Sequence, residues 1–571
     1  MQNQQVVEIY QTGAGVSVLT DEKGALLKEL YALPGREMLD RILDVDEPKA
    51  LIQEIPCEDF FWLVKKVGED DSLALLELAS VDQWQYLLDL ETWVKDRVDI
   101  SHTAHWLNLL QKANCGQLAK WLLDEDEYLA SYHFFRTLEV VVINNTDEIY
   151  GLPAGFFSLD DALHIRVNDP RYRRSIENII RVMANEDFDR CQTLLLGLGG
   201  RLPAEVEEEM YRLRNVRLAE HGFLPFEEAI AVYSPLDPAV LEGEDRQDFP
   251  EVIDDAEIRA LAPVLPLAQT EAENLFMEGV ASIRDPLLLN RLRLEFAGLA
   301  NQIISADGLI VRDNEVLSQA CRKVARIVNL SIERVCSLDV PSAEDLLRRH
   351  SLVTLFRVGF GMVLKLKWEA ERWLKESWFY GQGLDTGFWG EHWGGILNGL
   401  LAKRPRYYVG SREREECRDF EWLSELDECL DVLRSLMLLD GLLEKLIDFY
   451  QIREMRILPE TTYRSHLFNL WCRLILKIEP SFSGISLEQA KNLFSQLRDA
   501  SSRPPYCMPD FKQIFIRDLM AHAPSSYSET ASILENNLSQ IWEEFHEEYE
   551  RVSVNDLNGK CSRFVTIEEA H

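Results

Sequence analysis

Between about residues 25 and 136 the chain is cut into amphipathic stretches, each about one short helix long, parted by acidic or proline-bearing corners. IPCEDFFWLVKKV, GEDDSLALLELA and SVDQWQYLLDLETWV are examples. A helix of that length cannot cover its own apolar face and must stack on its neighbours. The spacing therefore predicts a layer of stacked helices, without a sheet, over this stretch. One corner is defined in detail: in the Ser80 to Gln83 tetrad the hydroxyl accepts from an orphan amide and the amide side chain returns the bond, so a helix should start at Val81.

Helical periodicity resumes beyond residue 172 and runs through the last third, where Leu467, Phe468, Trp471, Leu474 and Ile475 share one face and Ile533, Leu534, Leu538, Ile541, Trp542 and Phe545 share another. The exception is TLEVVVI, a β-branched run, followed by the turn-rich NNTDEIYGLPAG and then FFSLDDALHIRV. The fold expected is mainly α, a multidomain stacked-helix (superhelical) architecture with a small β element near 137–167. Its 571 residues suggest three or four packed units at about 100 to 200 residues each. We divide them as a short-helix repeat domain 1–136, a mixed helical domain 137–233, an acidic linker 234–257, a helical domain with a Gly/Trp-rich segment 258–411, and a C-terminal helical domain 412–571. The linker assignment rests on nine acidic residues and three prolines in 24 positions. Past it, a T-x-x-E box opens a predicted helix over 270–277, and Gly308 is the predicted C-cap of the helix before it.

Acidic residues outnumber basic ones 97 to 60, and the resulting charge of −37 disfavours nucleic acid and anionic lipid as partners. The most apolar long window, 351–368, is interrupted by Arg357, Lys365 and Lys367, so it reads as a buried helix and no membrane insertion is expected. The polar opening MQNQQVVEIY lacks the early positive charge of an export signal. Ten cysteines are scattered without a CxxC, which fits reduced thiols in the cytoplasm.

Some stretches resemble known families. LIQEIPCEDFFWLV and VGEDDSLALLELA resemble the repeats of the helical superhelix at the cytosolic N-terminus of MgtE-type magnesium transporters, although the transporter's nucleotide-binding domains and membrane helices have no counterpart here, so transport is not implied. LANQIISADGLIVRDNEVLSQACRKVARIVNL resembles the helix, ADG turn and helix of tellurite-resistance-B-like domains. The whole chain, and GLGGRLPAEVEEEMYRLRNVRLAEHGFLPFEEAIAVYSPL above all, resembles an uncharacterised bacterial family of domain-of-unknown-function proteins. That last resemblance implies a cytoplasmic protein and brings no activity or site with it.

The segment 378–414, WFYGQGLDTGFWGEHWGGILNGLLAKRPRYYVGSRER, is the least ordinary in chemistry. Glycines permit close backbone approach, indoles make flat walls, and guanidinium groups fork onto carboxylate or phosphate. Trp389, Glu391, His392, Trp393, Arg404 and Arg406 are the candidate ligand-binding residues, with Trp389 and Trp393 spaced i,i+4 as if on one helical face. The competing structural reading has the glycines packing helices together, the tryptophans filling core, and the basic run, including Lys403, Arg412 and Arg414, paired with the protein's own acids. Other constellations are weaker. His102 and His105 with Asp99 or Cys115 fall short of a zinc set, and Asp307, Asp313 and Glu315 lack the spacing of a calcium loop. Arg214, Arg217 and His221 share a helix face that could bind an anion, although local ion pairing, as of Glu208 with Arg212, is the favoured use of it. No nucleophile elbow or activated cysteine is present, so no catalytic residue, cofactor or metal is assigned, and whether the protein is an enzyme stays open.

Two readings follow: a non-catalytic regulatory or scaffold protein whose partner is another protein, bound through helical surfaces, or an enzyme or sensor taking a small anionic ligand at 378–414. One deep site where Glu391, His392 and an arginine converge would favour the second. Because cysteines and histidines never reach four-ligand spacing, chelation should leave the melting temperature unchanged; a clear fall, with stoichiometric zinc in the purified protein, would contradict this.

Overall fold

The computed structural model describes residues 19–143, 154–160, 163–200, 202–243, 262–270, 272–311, 313–410, 415–452, 461–498, 504–523, 528–557 and 563–568. Helices dominate these residues, and the chain divides into two compact units, Met1–Gly359 and Phe360–His571. The division falls within the helix Leu352–Glu376, in the window read from sequence as a buried helix. Most of the proposed acidic linker, from 244 onward, lies outside the described residues, as do Arg412 and Arg414.

In the first unit the predicted short helices form in order: Gly35–Leu43, Pro48–Gln53, Cys57–Val67, Leu73–Leu78 and Val81–Glu91. Ser80 and Gln83 make the reciprocal capping box. Gln83 also donates to the carbonyls of Ile52 and Ile55, at 2.7 and 2.8 Å, so the cap that starts one helix also ties down the end of an earlier one. The expectation of no sheet here needs a small correction. Trp93–Val94 and Arg97–Val98 pair as a two-residue hairpin, turned at Lys95 with φ 60°, which breaks helical periodicity over too few residues to show in a pattern. The long helix Ile100–Asp124 is kinked at Asn114 and capped by Asp99, which accepts from the amides of Ser101 and His102.

The small β element forms where the β-branched run predicted it. Leu163–Val167 is the central strand of three, antiparallel to Leu138–Val142 on one side and to Phe157–Ser158 on the other, with Leu138 opposite Val167 and Phe157 opposite Ile165. Further on, Gly308 takes φ 66° and ends the helix Pro286–Asp307 as expected. The T-x-x-E reading of 270–277 is corrected: the helix is Leu275–Ser282 with Asn274 as its cap. The Thr270 hydroxyl instead closes the preceding turn by donating to the Pro266 carbonyl at 2.8 Å.

Arg214 and Arg217 reach across to the helix Val81–Glu91, and His221 to the helix Cys57–Val67. Arg217 is bidentate on buried Asp89, with both contacts at 2.7 Å, and His221 Nδ1 lies 2.7 Å from Glu58. Arg212 pairs with Glu209 and not with Glu208.

The second unit has an aromatic core. Phe468 and Trp471, on the helix Tyr463–Ile475, contact Phe515, Trp542 and Phe545 from the helices Phe511–Met520 and Ser528–Tyr549, with Phe468 and Phe545 stacked at 4.3 Å. Phe468 and Trp471 come from one of the two apolar faces read from sequence, Trp542 and Phe545 from the other, and Phe515 from neither. A parallel pair, Ile485–Ser486 with Ile567–Glu568, returns the chain's last described strand to this core.

Two deeply buried histidines, one in each unit, are held neutral by burial: His133 is 1% and His466 2% exposed. Desolvation lowers both from the ordinary 6.5 to about 4. Between those pH values the unfolded chain binds a proton that the folded chain refuses. Stability is therefore full above about pH 6.5 and falls by roughly 3 kcal/mol per histidine as the pH drops to about 4. Neither ring nitrogen of His133 has a hydrogen-bond partner. His133→Leu should accordingly flatten part of the acid limb of a urea-midpoint profile without loss at pH 7.5; an unchanged acid slope would refute the assignment.

Candidate functional site: a cleft in the C-terminal unit

The segment 378–401 is placed by hydrogen bonds to its backbone. Asp440, on the helix Leu423–Tyr450, accepts from the amides of Trp378 and Phe379 at 3.1 and 2.8 Å. This fixes the turn Trp378–Gly381, from which Phe379 reaches Phe388 and Trp389 with ring centroids 5.9 and 5.5 Å away. A 3-10 turn, Thr386–Trp389, ends at Gly390 with φ 81°, and the helix Glu391–Leu401 begins there. The i,i+4 expectation for Trp389 and Trp393 is thereby corrected, since Gly390 sets them on two different elements. They still share a neighbour. Tyr463 is nearly parallel to Trp393, at 11° and 5.5 Å, and tilted against Trp389 at 5.4 Å.

The glycines of the helix allow close backbone approach on two sides. A Cβ on Gly394 would stand 2.3 Å from the Thr386 carbonyl oxygen, and one on Gly399 would stand 2.4 Å from that of Arg406. A cleft of about 460 Å³ lies at the start of this helix. Trp389, Glu391, His392 and Trp393 line it, together with Tyr408 and Gly410 from the following loop, Tyr463 and Arg464, Asn537, Gln540, Ile541 and Glu544 from the helix Ser528–Tyr549, and Arg563.

Four of the six residues singled out from sequence thus meet in one place. Arg404 and Arg406 are not among the lining residues: Arg406 points to Glu415 at 3.5 Å, while its amide donates to the Gly399 carbonyl. Arg404 is half-buried. The cations at the cleft are Arg464 and Arg563 instead. Sequence spacing could not find them, since they lie more than 60 positions further along. The local signal was an aromatic residue followed by arginine at a helix start, Tyr463-Arg464 after the capping residue Thr462.

Arg464 is held by Glu544, with Nε 2.9 Å from Oε2, and its guanidinium lies over the Tyr463 ring at 4.8 Å. Its Nη1 would be 3.0 Å from a Cβ on Gly390, so the guanidinium stands beside the start of the helix Glu391–Leu401. Burial pushes the Tyr463 phenol well above its usual range, so this wall stays neutral. His392 is exposed, with Nε2 3.5 Å from Glu428, and Glu428 also accepts from the Tyr407 hydroxyl at 2.7 Å. Chemically the cleft offers flat aromatic walls, two guanidinium groups, two side-chain amides, two carboxylates and an imidazole.

Among the described residues no cluster of three or more His, Cys, Asp or Glu is placed to hold a metal ion, and none of their helices is long and apolar enough to cross a membrane. His102 and His105 face different acids, Asp99 and Glu69, each at 3.6 Å.

Helix propensity alone would favour Gly399→Ala by up to about 1 kcal/mol. The carbonyl 2.4 Å from the new methyl is backbone and cannot step aside, so a net loss of roughly 2 kcal/mol is expected in urea denaturation. A stabilised variant would show that the approach is looser than described.

No curated protein and no solved structure matches the chain, so the likeness of the N-terminal helices to MgtE-type transporters stands without support from a match. One family profile does match, over residues 22–568, a span that takes in both units and every residue lining the cleft. As the resemblance of the whole chain implied, the protein belongs to DUF6178, a family of unknown function.

Proposed function

We propose that the protein works by binding, and that its second unit takes a small anionic ligand in the cleft between Trp393 and Arg464. The observation that carries this reading is the convergence of Glu391, His392 and an arginine with four aromatic residues in one concavity. Flat apolar surfaces beside a few placed polar groups are what small-molecule sites use. A cytoplasmic setting fits, since all nine described cysteines are free thiols. The charge of −37 argues against nucleic acid as the ligand.

A protein partner is the second reading, favoured by an exposed aromatic group at the end of the helix Leu423–Tyr450. Phe449 is 64% exposed, with its ring 4.3 Å from that of His522 and 4.9 Å from that of Tyr450. Regulation or scaffolding through that face would leave the cleft without effect.

A thermal-shift panel of small carboxylates, phosphates and sulfonates separates the two. At a hundredfold excess over Kd, a true ligand should raise the melting temperature by about 5 °C. Trp393→Ala should abolish the rise while leaving the unliganded melting temperature within a degree or two. If no anion shifts the protein, or if the variant responds equally, the cleft reading fails; co-purifying protein lost on Phe449→Ser would then favour the second.

A further inference from the structure

The lining of the cleft is specific about where a ligand's charge would sit. The helix Glu391–Leu401 starts in the cleft, and no side chain caps it; its first bond runs from the Gly394 amide to the Gly390 carbonyl. The amides ahead of that bond carry the positive end of the helix dipole. Arg464 stands over the same point, clamped by Glu544 with its Nη1 turned towards Gly390. Glycine is required there by φ 81°, and its missing Cβ leaves the approach to the amides open.

Two donors add an independent indication. The indole N–H of Trp389, a residue 1% exposed, and the side-chain N–H group of Asn537 are buried and have no hydrogen-bond partner, and both residues line the cleft. Asn537 already uses its carbonyl oxygen as an acceptor, for the Ser435 hydroxyl at 3.4 Å. Buried donors left without acceptors are uncommon in folded proteins and call for an explanation. A ligand rich in acceptor oxygens would bring acceptors to the cleft that both residues line.

Resting on the reading of the cleft as a small-anion site, we propose that its ligand is a phosphate monoester carried on a planar ring. The phosphate sits at the N-terminus of Glu391–Leu401 with Arg464 beside it, and the ring lies against the face of Trp393 that Tyr463 does not cover. Three phosphate oxygens suit an array of amides plus one guanidinium, which is how helix N-termini hold phosphate elsewhere. Tyr463 backs only one side of the Trp393 indole, and that side chain is half-exposed. Two carboxylates oppose an anion here. Glu544 is paired with Arg464, and Glu391 is the first residue of the helix.

Calorimetry of the full chain with phenyl phosphate, inorganic phosphate, benzoate and phenol tests this. Phenyl phosphate should bind about tenfold tighter than inorganic phosphate, and benzoate and phenol weaker than either. The paired change Arg464→Gln with Glu544→Gln, which leaves no buried charge alone, should weaken phenyl phosphate about tenfold or more at an unchanged melting temperature. Glu391→Gln should strengthen it several-fold by removing the repulsion. Benzoate binding as tightly as phenyl phosphate, or phenyl phosphate indifferent to both variants, overturns the phosphate assignment while leaving a small-anion cleft in place. If none of the four probes binds, both the assignment and the cleft reading fall.

Discussion

A carboxylate that accepts backbone amides from a distant part of the chain is the interaction on which both units depend. Asp440, 5% exposed, holds the amides of Trp378 and Phe379 from more than 60 residues away, and the turn it fixes sets the direction in which the aromatic residues up to Trp389 run. In the first unit Asp59, fully buried, does the same for Val264 and Leu265, both at 2.8 Å, across more than 200 residues. Glu207 accepts from the Val98 amide, the Tyr132 hydroxyl and Arg97, which joins the small hairpin to the helix Pro203–Glu220. A buried amide left unsatisfied costs about 1 to 3 kcal/mol, and a chain of many short helices has many such amides. Part of the acid surplus that the composition presents as surface charge is therefore internal, acting as acceptors. The carboxylates bear a desolvation penalty for this: burial lifts Asp59 to about 7 and raises Asp440 as well, although the donated bonds pull both back.

What the sequence made legible follows from how local each cause was. The Ser80 and Gln83 box, the C-cap at Gly308 and the β-branched run before the three-stranded sheet each depend on neighbours within a few positions, and each formed as read. The two apolar faces of the last third also met, because a stripe of that kind has only another stripe to bury itself against. Failures came where two local signals competed. Thr270 is an adequate cap, but Asn274 lies closer to the apolar run, and the threonine hydroxyl closes a turn instead.

The cleft was half legible for the same reason. Trp389, Glu391, His392 and Trp393 stood out because glycines, indoles and titratable groups crowded together, and that density is local. Arg404 and Arg406 seemed the natural cations because they were near in sequence. Their loop leads into the pair of Tyr407–Tyr408 with Cys417–Arg418, and Arg406 turns towards Glu415. The cations of the cleft, Arg464 and Arg563, arrive from elements whose position depends on the aromatic core, and no spacing rule connects that core to residue 389.

The setting of this site also constrains how it recognises a ligand. A protein carrying −37 repels anions at long range, but at physiological ionic strength that repulsion decays over about 8 Å. Selection must then occur by contact, where orientation counts for more than net charge. Placing Arg464 against Glu544 serves that end: the pair cancels in charge, yet one nitrogen of the guanidinium faces the helix start. A looser lysine in the same place would present the same charge without the direction. The lining thus carries balanced charge, two arginines against two glutamates, and its preference for an acceptor-rich ligand comes from the aim of its donors.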